Sequence, residues 1–181
     1  MPQFVAFLRA VNVGGRFVKM AKLAETFTTL GYTDVSTFLN SGNVLFRTNK
    51  RSAAKIEEHV QDAIGALIGI ETDVFLRSPA EVATVAARAS AYRVGAPDLV
   101  DVNVAFLAAP LDAAAKDLLA GLETDVDTFE THGREVDWLC RVKQSDSRFS
   151  NAAFERKLRL RTTFRRASML QKLAAQLAGE A

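Results

Sequence analysis

The fold of the chain is decided by the stretch Phe4-Val5-Ala6-Phe7-Leu8-Arg9-Ala10-Val11-Asn12-Val13-Gly14-Gly15-Arg16-Phe17-Val18-Lys19-Met20. Its first five residues are apolar at every position, which predicts a buried strand over about Gln3 to Leu8. Two glycines follow in a polar segment, and an amphipathic helical pattern begins near Ala21. We therefore predict a strand, a glycine-containing loop and a helix in direct succession.

The segment from Arg9 to Met20 combines positive charge with glycine next to a predicted helix N-terminus, an arrangement that favours anion binding. It lacks the Gly-x-Gly-x-x-Gly spacing and the Gly-Lys-Ser/Thr ending of nucleotide-binding loops, which leaves a dinucleotide or NTPase site unsupported. A tight turn in which glycine supplies positive φ is the alternative interpretation. The candidate ligand-binding residues here are Arg9, Asn12, Gly14, Gly15, Arg16 and Lys19.

Outward from this stretch, the first 77 residues predict the order β-α-β-β-α-β. The elements after the first strand are a helix from Ala21 to Leu30, strands over Val35–Leu39 and Val44–Arg47, a helix from Ser52 to Gly69, and a strand over Thr72–Leu76. The turn Asn40-Ser41-Gly42-Asn43 joins the two middle strands as a hairpin. This order is typical of a ferredoxin-like split β-α-β unit, in which two helices cover one face of an antiparallel sheet.

The remaining sequence predicts a second cycle of the same order. Ser78-Pro79-Ala80-Glu81 is a helix start whose helix extends to about Ala89, and Gly95-Ala96-Pro97-Asp98 interrupts the pattern. The predicted second half comprises strands Val100–Leu107, Val126–Glu130 and Glu135–Val142 and helices Asp112–Gly121, from Ser150, and Arg166–Ala178. We predict an α+β fold of two ferredoxin-like halves with antiparallel sheets and an extra C-terminal helix, divided into residues 1–77, a connecting helix and linker at 78–97, and residues 98–181.

Composition is ordinary for a globular protein, with 49% hydrophobic and 24% charged residues. No apolar run approaches the length of about 20 residues that crosses a bilayer. The single cysteine, Cys140, excludes an internal disulfide, and the N-terminus shows no basic leader before an apolar segment. We expect a cytoplasmic protein without a membrane partner.

Charge is distributed unevenly along the second half. From Asp98 to Asp137 there are ten acidic and two basic residues, whereas from Arg141 to Lys172 there are ten basic and two acidic ones. The two segments either neutralise each other on one mixed surface or leave a basic face that attracts phosphate. Readers of single-stranded nucleic acid add exposed aromatic rings for stacking, and Phe149, Phe154 and Phe164 are the candidates here, although Phe154 has core spacing.

A second polar and basic loop, Lys143 to Ser150, joins the predicted last strand to a helix. We expect it to form, with the Arg9–Lys19 segment, a basic groove between the halves. The further candidate ligand-binding residues are Lys143, Arg148 and Arg165, together with Ser41 and Asn43 of the hairpin turn. As turn-forming residues, Ser41 and Asn43 are also explained without a ligand.

Two motifs resemble the signatures of one family. The run Phe7 to Arg16 followed by Lys19-Met20, and the run Asn40 to Phe46, are similar to the uncharacterised bacterial proteins of the domain of unknown function 1697 family. The resemblance covers essentially the whole chain. It implies two ferredoxin-like halves in an α+β protein and no established activity.

One segment departs from that family's pattern, which resembles Thr-x-Arg-Asn-Trp-x-Thr before the last helix. Here Thr163 and Arg165 match, but Arg166, Ala167 and Met169 stand where the pattern has Asn, Trp and Thr. If the pattern contributes to a ligand site, the site in this chain is altered or more basic.

Metal and nucleophilic chemistry have little support. His59 and His132 have no recognisable partner for a serine nucleophile, so the catalytic residues stay unknown. One cysteine and two distant histidines give no metal-ligand spacing, and no cofactor is predicted. We interpret the carboxylates near the last hairpin as a solvated surface: Asp125, Asp127, Glu130, Glu135 and Asp137.

Three functional hypotheses remain. The leading one is binding of an anionic ligand, either a phosphate-bearing metabolite or a nucleic acid, through charge-assisted hydrogen bonds. The second is a small-molecule enzyme in which Asn12, Ser41 and Asn43 orient the substrate and Arg9 stabilises developing negative charge. The third is a protein-interaction module that uses exposed sheet edges. The ligand and the oligomeric state stay open.

Overall fold

The computed structural model describes residues 1–11 and 17–179. The chain divides into two compact units, Met1–Glu81 and Val82–Ala181, with the boundary one turn into a helix. Each unit contains a four-stranded antiparallel sheet within the described residues.

The first unit has the strand order β2-β3-β1-β4. Its elements are β1 (Gln3–Leu8), α1 (Met20–Thr29), β2 (Thr33–Thr37), β3 (Asn43–Arg47), α2 (Ala53–Ile68) and β4 (Val74–Arg77). Residues 79–81 begin α3 (Pro79–Gly95). The central strand β1 pairs with β3 from Gln3↔Arg47 to Phe7↔Asn43.

Helices α1 and α2 cover one face of this sheet because their apolar residues recur at helical spacing. Leu23 and Phe27 of α1 and Ile56, Val60 and Ile64 of α2 are fully buried, and they pack on Ala6, Leu8, Val44 and Phe46. Phe27, Tyr32 and Phe46 form an aromatic group with ring centroids 4.7 to 6.0 Å apart. Burial of each such side chain stabilises the fold by about 1.5–3 kcal/mol.

The second unit repeats the strand order as β6-β7-β5-β8. Its elements after α3 are β5 (Asp101–Phe106), α4 (Ala113–Ala120), β6 (Asp127–His132), β7 (Glu135–Cys140), α5 (Asn151–Leu158), β8 (Thr163–Arg166) and α6 (Ala167–Gly179). One face of the sheet packs against α4 and α5 through a core centred on Trp138, Phe149 and Phe154. Helix α6 contacts β5 and β8, and Gln171 on α6 donates to Ser90 on α3.

The predicted α+β fold of two ferredoxin-like halves with a C-terminal helix is confirmed. Two elements differ from the sequence prediction. Strand β8 was not predicted, because two of its four residues are arginines and it shows no clear alternation. Helix α3 begins with a capping box in which Ser78 and Glu81 exchange hydrogen bonds, and it ends at Gly95 instead of Ala89.

None of the helices in residues 1–11 and 17–179 has the length and apolarity needed to span a membrane.

The division into residues 1–77, 78–97 and 98–181 stays a prediction. Helix α3 belongs for the most part to the second unit, because its residues from Val82 onward lie on that side of the boundary. Its buried residues are Val82, Val85, Ala86 and Ala89.

The turn of the first hairpin contacts β1 at Gly42, just beyond the β1–β3 pairing. The N–H of Leu8 donates to the carbonyl of Gly42 at 2.8 Å. Gly42 has φ of +70°, and a Cβ added there would lie 3.2 Å from the Val11 Cβ and 3.3 Å from the Leu8 Cβ. Both the backbone conformation and the close approach therefore require glycine.

We expect Gly42→Ala to lower the free energy of unfolding by about 2–3 kcal/mol, because it adds steric overlap to an unfavourable φ. Gly31→Ala is the matched control, since Gly31 has φ of +84° with no atom within 4 Å of an added Cβ. The control is expected to lose only about 1 kcal/mol. Urea unfolding measures both, and equal losses would contradict the packing argument.

Candidate functional site

The predicted site residues Arg9, Ser41 and Asn43 lie at the end of the first sheet where β1 ends and β3 begins. The backbone of Arg9 is held on both sides: its N–H donates to the carbonyl of Asp73 at 3.0 Å, and its carbonyl accepts from the Thr72 hydroxyl at 2.5 Å. The Arg9 side chain is half-buried. The predicted residues Asn12, Gly14, Gly15 and Arg16 lie outside the described residues.

The hairpin turn reaches the same edge, because β3 begins where β1 ends. Asn43 is fully buried, and its amide donates to the Phe38 carbonyl at 2.9 Å and to the Ser41 hydroxyl oxygen at 2.8 Å. Asn43 therefore shapes the turn from inside. Ser41 is exposed, so its hydroxyl is the group of this pair that faces solvent.

Helix α1 begins at this edge as well, since it follows β1 in the chain and packs on β2 and β3. Lys19 is its N-cap residue and is exposed, with no side-chain capping hydrogen bond. The first turn of α1 contains no acidic residue. The positive end of the helix dipole thus adds to the charges of Arg9 and Lys19.

A cleft of about 450 Å³ opens beside the segment that holds Arg9. Its lining includes Thr72 and Asp73, which bind the Arg9 backbone, and the carboxylates of Asp62 and Glu71. The small residues Gly65, Ala66 and Gly69 complete one wall, with Gln61 and Ile70. Carboxylates accept hydrogen bonds, so this cleft favours hydroxyl or amino groups over an anion.

The second predicted loop is anchored in the second unit. The N–H of Gln144 donates to the Asp101 carboxylate at 2.9 Å, and the Ser147 hydroxyl donates to Asp127 at 2.8 Å. Lys143 and Arg148 are exposed on this loop. Their participation with the Arg9–Lys19 segment in one groove between the halves stays a prediction.

Arg165 is placed differently from the other predicted cations. It lies in β8 and is only 8% exposed, and its guanidinium donates to the Thr163 hydroxyl at 2.6 Å and to the Phe164 carbonyl at 2.9 Å. Burial lowers the pKa of Arg165 to about 10. Because Arg165 is buried and its guanidinium already donates hydrogen bonds, we do not include it in the proposed site.

The candidate stacking rings are in the core. Phe149 is 8% exposed, Phe154 is fully buried, and both pack with Phe164, whose ring stands edge-on to Trp138. Phe149 and Phe154 are therefore not available for stacking, and Phe164 is half-buried against the same core.

A buried carboxylate organises the loop and the core of the second unit. Asp127 is fully buried and accepts from the Trp138 indole N–H at 2.7 Å, from the Ser147 hydroxyl at 2.8 Å and from the Thr124 hydroxyl at 3.1 Å. The interpretation of Asp127 as part of a solvated surface was wrong. The sequence pattern did not reveal it, because two of its three donors, Trp138 and Ser147, are 11 and 20 residues away in sequence.

A second polar cluster joins α3 to the β6–β7 hairpin. Arg88 forms a bidentate ion pair with Asp137, with Nε–Oδ2 and Nη2–Oδ1 distances of 2.6 and 3.0 Å. The Tyr92 hydroxyl lies 3.0 Å from Asp137 Oδ2, 2.9 Å from Glu130 Oε2 and 3.0 Å from His132 Nε2. Asp137 is fully buried, so its interpretation as solvated was also wrong. His132, for which the sequence offered no partner, contacts Tyr92.

The pKa shifts in this cluster indicate that it stabilises the packing of α3 on the β6–β7 hairpin. Burial and the charge of Asp137 raise the pKa of Tyr92 well above its ordinary value, so the phenol stays neutral and is a poor nucleophile. Burial opposes the charge of Arg88, but its hydrogen bond to Asp137 outweighs this and raises the pKa of Arg88. Arg88 and Tyr92 are four residues apart on α3, a spacing that predicts one helix face, but Tyr92 lay beyond the predicted helix end.

Other reactive groups are the single thiol and the candidate metal ligands. Burial raises the pKa of the Cys140 thiol to about 11, which keeps it protonated and unreactive. In the part of the chain that the structure describes, no group of three or more histidine, cysteine, aspartate or glutamate side chains is placed to hold a metal ion.

Removal of the Asp127 carboxylate leaves buried donors without an acceptor. We expect Asp127→Ala to lower the free energy of unfolding by about 2–4 kcal/mol. The exposed Asp125→Ala is the control and is expected to change it by less than about 0.5 kcal/mol. Urea unfolding followed by the emission of the single tryptophan, Trp138, measures both. Similar values for the two variants would contradict the assigned network.

Tyr92→Phe removes the hydroxyl shared by Asp137, Glu130 and His132, and we expect it to lower the free energy of unfolding at neutral pH by about 1–2 kcal/mol. The pKa of Tyr92 is raised in the folded state from 10.0, so the stability due to its neutral form is present below about pH 10 and is lost as the pH rises further. The variant therefore loses less stability than the parent above about pH 10. Urea unfolding at neutral and alkaline pH measures this.

Tyr32→Phe is the matched control at neutral pH. The Tyr32 hydroxyl is buried and has no hydrogen-bond partner among the described residues. Its removal is expected to leave the free energy of unfolding unchanged or to raise it. An equal loss in the two tyrosine variants would show that the Tyr92 contacts do not stabilise the fold.

Comparisons with known proteins agree with this architecture. The conserved bacterial protein SP0830 from Streptococcus pneumoniae superposes with a TM-score of 0.77 at 23% sequence identity, over 98% of this chain and 99% of that one, and this likeness concerns the fold. No curated protein matches the sequence. The family model for a protein of unknown function (DUF1697) matches residues 1–136, which is most of the chain. The chain therefore belongs to the DUF1697 family of proteins of unknown function.

Proposed function

We propose that the protein binds a small phosphate-bearing metabolite at the edge of the first sheet where β1 ends. The observation that carries this proposal is the contact between β1 and the hairpin turn. The Leu8–Gly42 hydrogen bond and the packing of Gly42 on Leu8 and Val11 bring the Asn40–Asn43 turn against the start of the Arg9–Met20 segment. Two separate polar motifs thus meet at one edge.

Charge at this edge supports an anionic ligand. Lys19 is exposed, Arg9 is half-buried, and α1 begins without an acidic residue in its first turn. A charge-assisted hydrogen bond contributes about 1.5–3 kcal/mol, and a helix N-terminus adds about 0.3–1 kcal/mol for an anion. The sequence also places Arg16 and the Gly14-Gly15 pair in the same segment, a composition that suits binding of phosphate oxygens.

The acidic cleft supports a ligand that carries hydroxyl groups besides its phosphate. Asp62, Glu71 and Asp73 line the cleft, and Asp73 also binds the Arg9 backbone through its carbonyl. A volume of about 450 Å³ lies within the range of small-molecule sites, about 300–1,000 Å³. A sugar phosphate matches both parts: its phosphate faces the cations and its hydroxyl groups face the carboxylates.

A nucleic acid is the less favoured anion. The aromatic side chains that would stack on bases, Phe149, Phe154 and Phe164, contribute to the core of the second unit instead. Base stacking supplies about 1–3 kcal/mol per base in single-strand readers. Without it, phosphate contacts alone would have to account for the affinity.

The proposal predicts that ribose 5-phosphate binds more tightly than ribose or inorganic phosphate in isothermal titration at low ionic strength. We expect Arg9→Ala and Lys19→Ala each to weaken binding by about tenfold, because each removes a charged donor. Lys55→Ala is the control, since Lys55 is an exposed lysine in the first turn of α2, at the opposite end of the sheet.

Phosphorus NMR of the mixture of protein and ribose 5-phosphate distinguishes binding from catalysis. The ligand stays intact if the protein only binds it, whereas the enzyme hypothesis requires that it is turned over.

Two results would overturn the proposal. One is the absence of measurable binding for both phosphate probes at low salt, where the electrostatic attraction is largest. The other is an equal loss of affinity in Lys55→Ala. A mobility shift with a single-stranded oligonucleotide, but no binding of ribose 5-phosphate, would replace the metabolite with nucleic acid.

A further inference from the structure

A groove of about 530 Å³ lies between α4 and α5 on the second unit, apart from the site proposed above. The two helices contact each other along one side of the sheet. The groove is lined by Leu118, Leu122, Ala153, Arg156, Lys157 and Arg159. Its volume lies in the range of small-molecule sites.

One part of the groove is aliphatic. Leu118 is 41% exposed, whereas its neighbour Leu119 is 3% exposed and belongs to the core. Leu122 and Ala153 are half-buried beside Leu118 in the groove. These three side chains form an aliphatic strip that remains accessible to solvent.

The other part of the groove is cationic. Arg156, Lys157 and Arg159 are all exposed, and none of the three forms an ion pair with any carboxylate in residues 1–11 and 17–179. Glu155, the acidic residue of α5, accepts a hydrogen bond from the N–H of Thr162 at 2.9 Å. Three positive charges therefore border the aliphatic strip.

Arg159 occupies a position that favours glycine. It is the C-cap of α5 in the left-handed conformation, with φ of +53°. The corresponding helix of the first unit, α2, ends at Gly69 in the same conformation, with φ of +71°. Glycine would remove this conformational cost, so an Arg159→Gly variant can test the side chain without straining the backbone.

We propose that this groove binds a single-chain amphiphile with an anionic head group, such as a fatty acid carboxylate. Charge complementarity selects an anion, because three cations line the groove and no acidic residue does. The strip of Leu118, Leu122 and Ala153 receives the alkyl chain, whose removal from water is favourable. The lining contains no aromatic side chain for base stacking, which disfavours a single-stranded nucleic acid.

Decanoate is the probe, used below its micelle-forming concentration and measured by isothermal titration. Decanol tests the head group and acetate tests the chain, and both are expected to bind at least about tenfold more weakly than decanoate. Leu118→Ser is expected to weaken decanoate binding several-fold while leaving the fold intact, because Leu118 is substantially exposed.

Arg159→Gly separates binding from stability. It is expected to raise the melting temperature by about 2–4 °C, because glycine adopts positive φ without strain. At the same time it is expected to weaken decanoate binding by about tenfold. Lys172→Ala, an exposed cation on α6 of the same unit, is the control and is expected to bind decanoate like the parent.

Several results would overturn the proposal. If decanoate and decanol bound with equal affinity, the cations would not contribute to binding of the head group. If decanoate and acetate bound with equal affinity, the aliphatic strip would not contribute to binding of the alkyl chain. Unchanged binding in Arg159→Gly, or an equal loss in Lys172→Ala, would place the ligand elsewhere. Binding to anionic phospholipid vesicles without binding of monomeric decanoate would identify a membrane-surface patch instead.

Discussion

The architecture of the first unit depends on the hydrogen bond from the N–H of Leu8 to the carbonyl of Gly42. This bond extends the β1–β3 pairing to the end of β1 and the start of β3. Gly42 has no side chain to separate them, so Val11 and Leu8 lie directly against the turn. This contact therefore fixes the backbone of the hairpin turn against the end of β1.

The second unit has an equivalent hydrogen bond between its central strand and its hairpin turn. The N–H of Leu107, at the end of β5, donates to the carbonyl of Arg134 in the β6–β7 turn. Here the loop that follows β7 is held by the buried carboxylate of Asp127, for which the first unit has no counterpart in its described residues. The duplicated framework therefore carries different polar chemistry in each unit, which is why we assign a different ligand class to each.

Local patterns were sufficient to predict most of the fold. The apolar residues of each helix recur at a spacing that places them on one face, and that face is buried in the core. These residues are Leu23 and Phe27 in α1 and Ile56, Val60 and Ile64 in α2. Strand β8 was not predicted because its sequence shows no alternation of apolar and polar residues. It lies at the edge of the sheet, where such alternation is less strictly required. The buried carboxylates were not predicted for a different reason. Asp127 and Asp137 look like surface residues in sequence, and most of the donors that make their burial favourable are distant in sequence.

The central claim is that an anion binds where β1, the hairpin turn and α1 converge. A crystal structure of the protein grown with ribose 5-phosphate tests it most directly. We expect phosphate density within hydrogen-bonding distance of the Arg9 or Lys19 side chain, with the ribose directed toward the cleft at Asp62 and Asp73. Ordered ribose 5-phosphate bound at any other place, with this edge empty, would contradict the account.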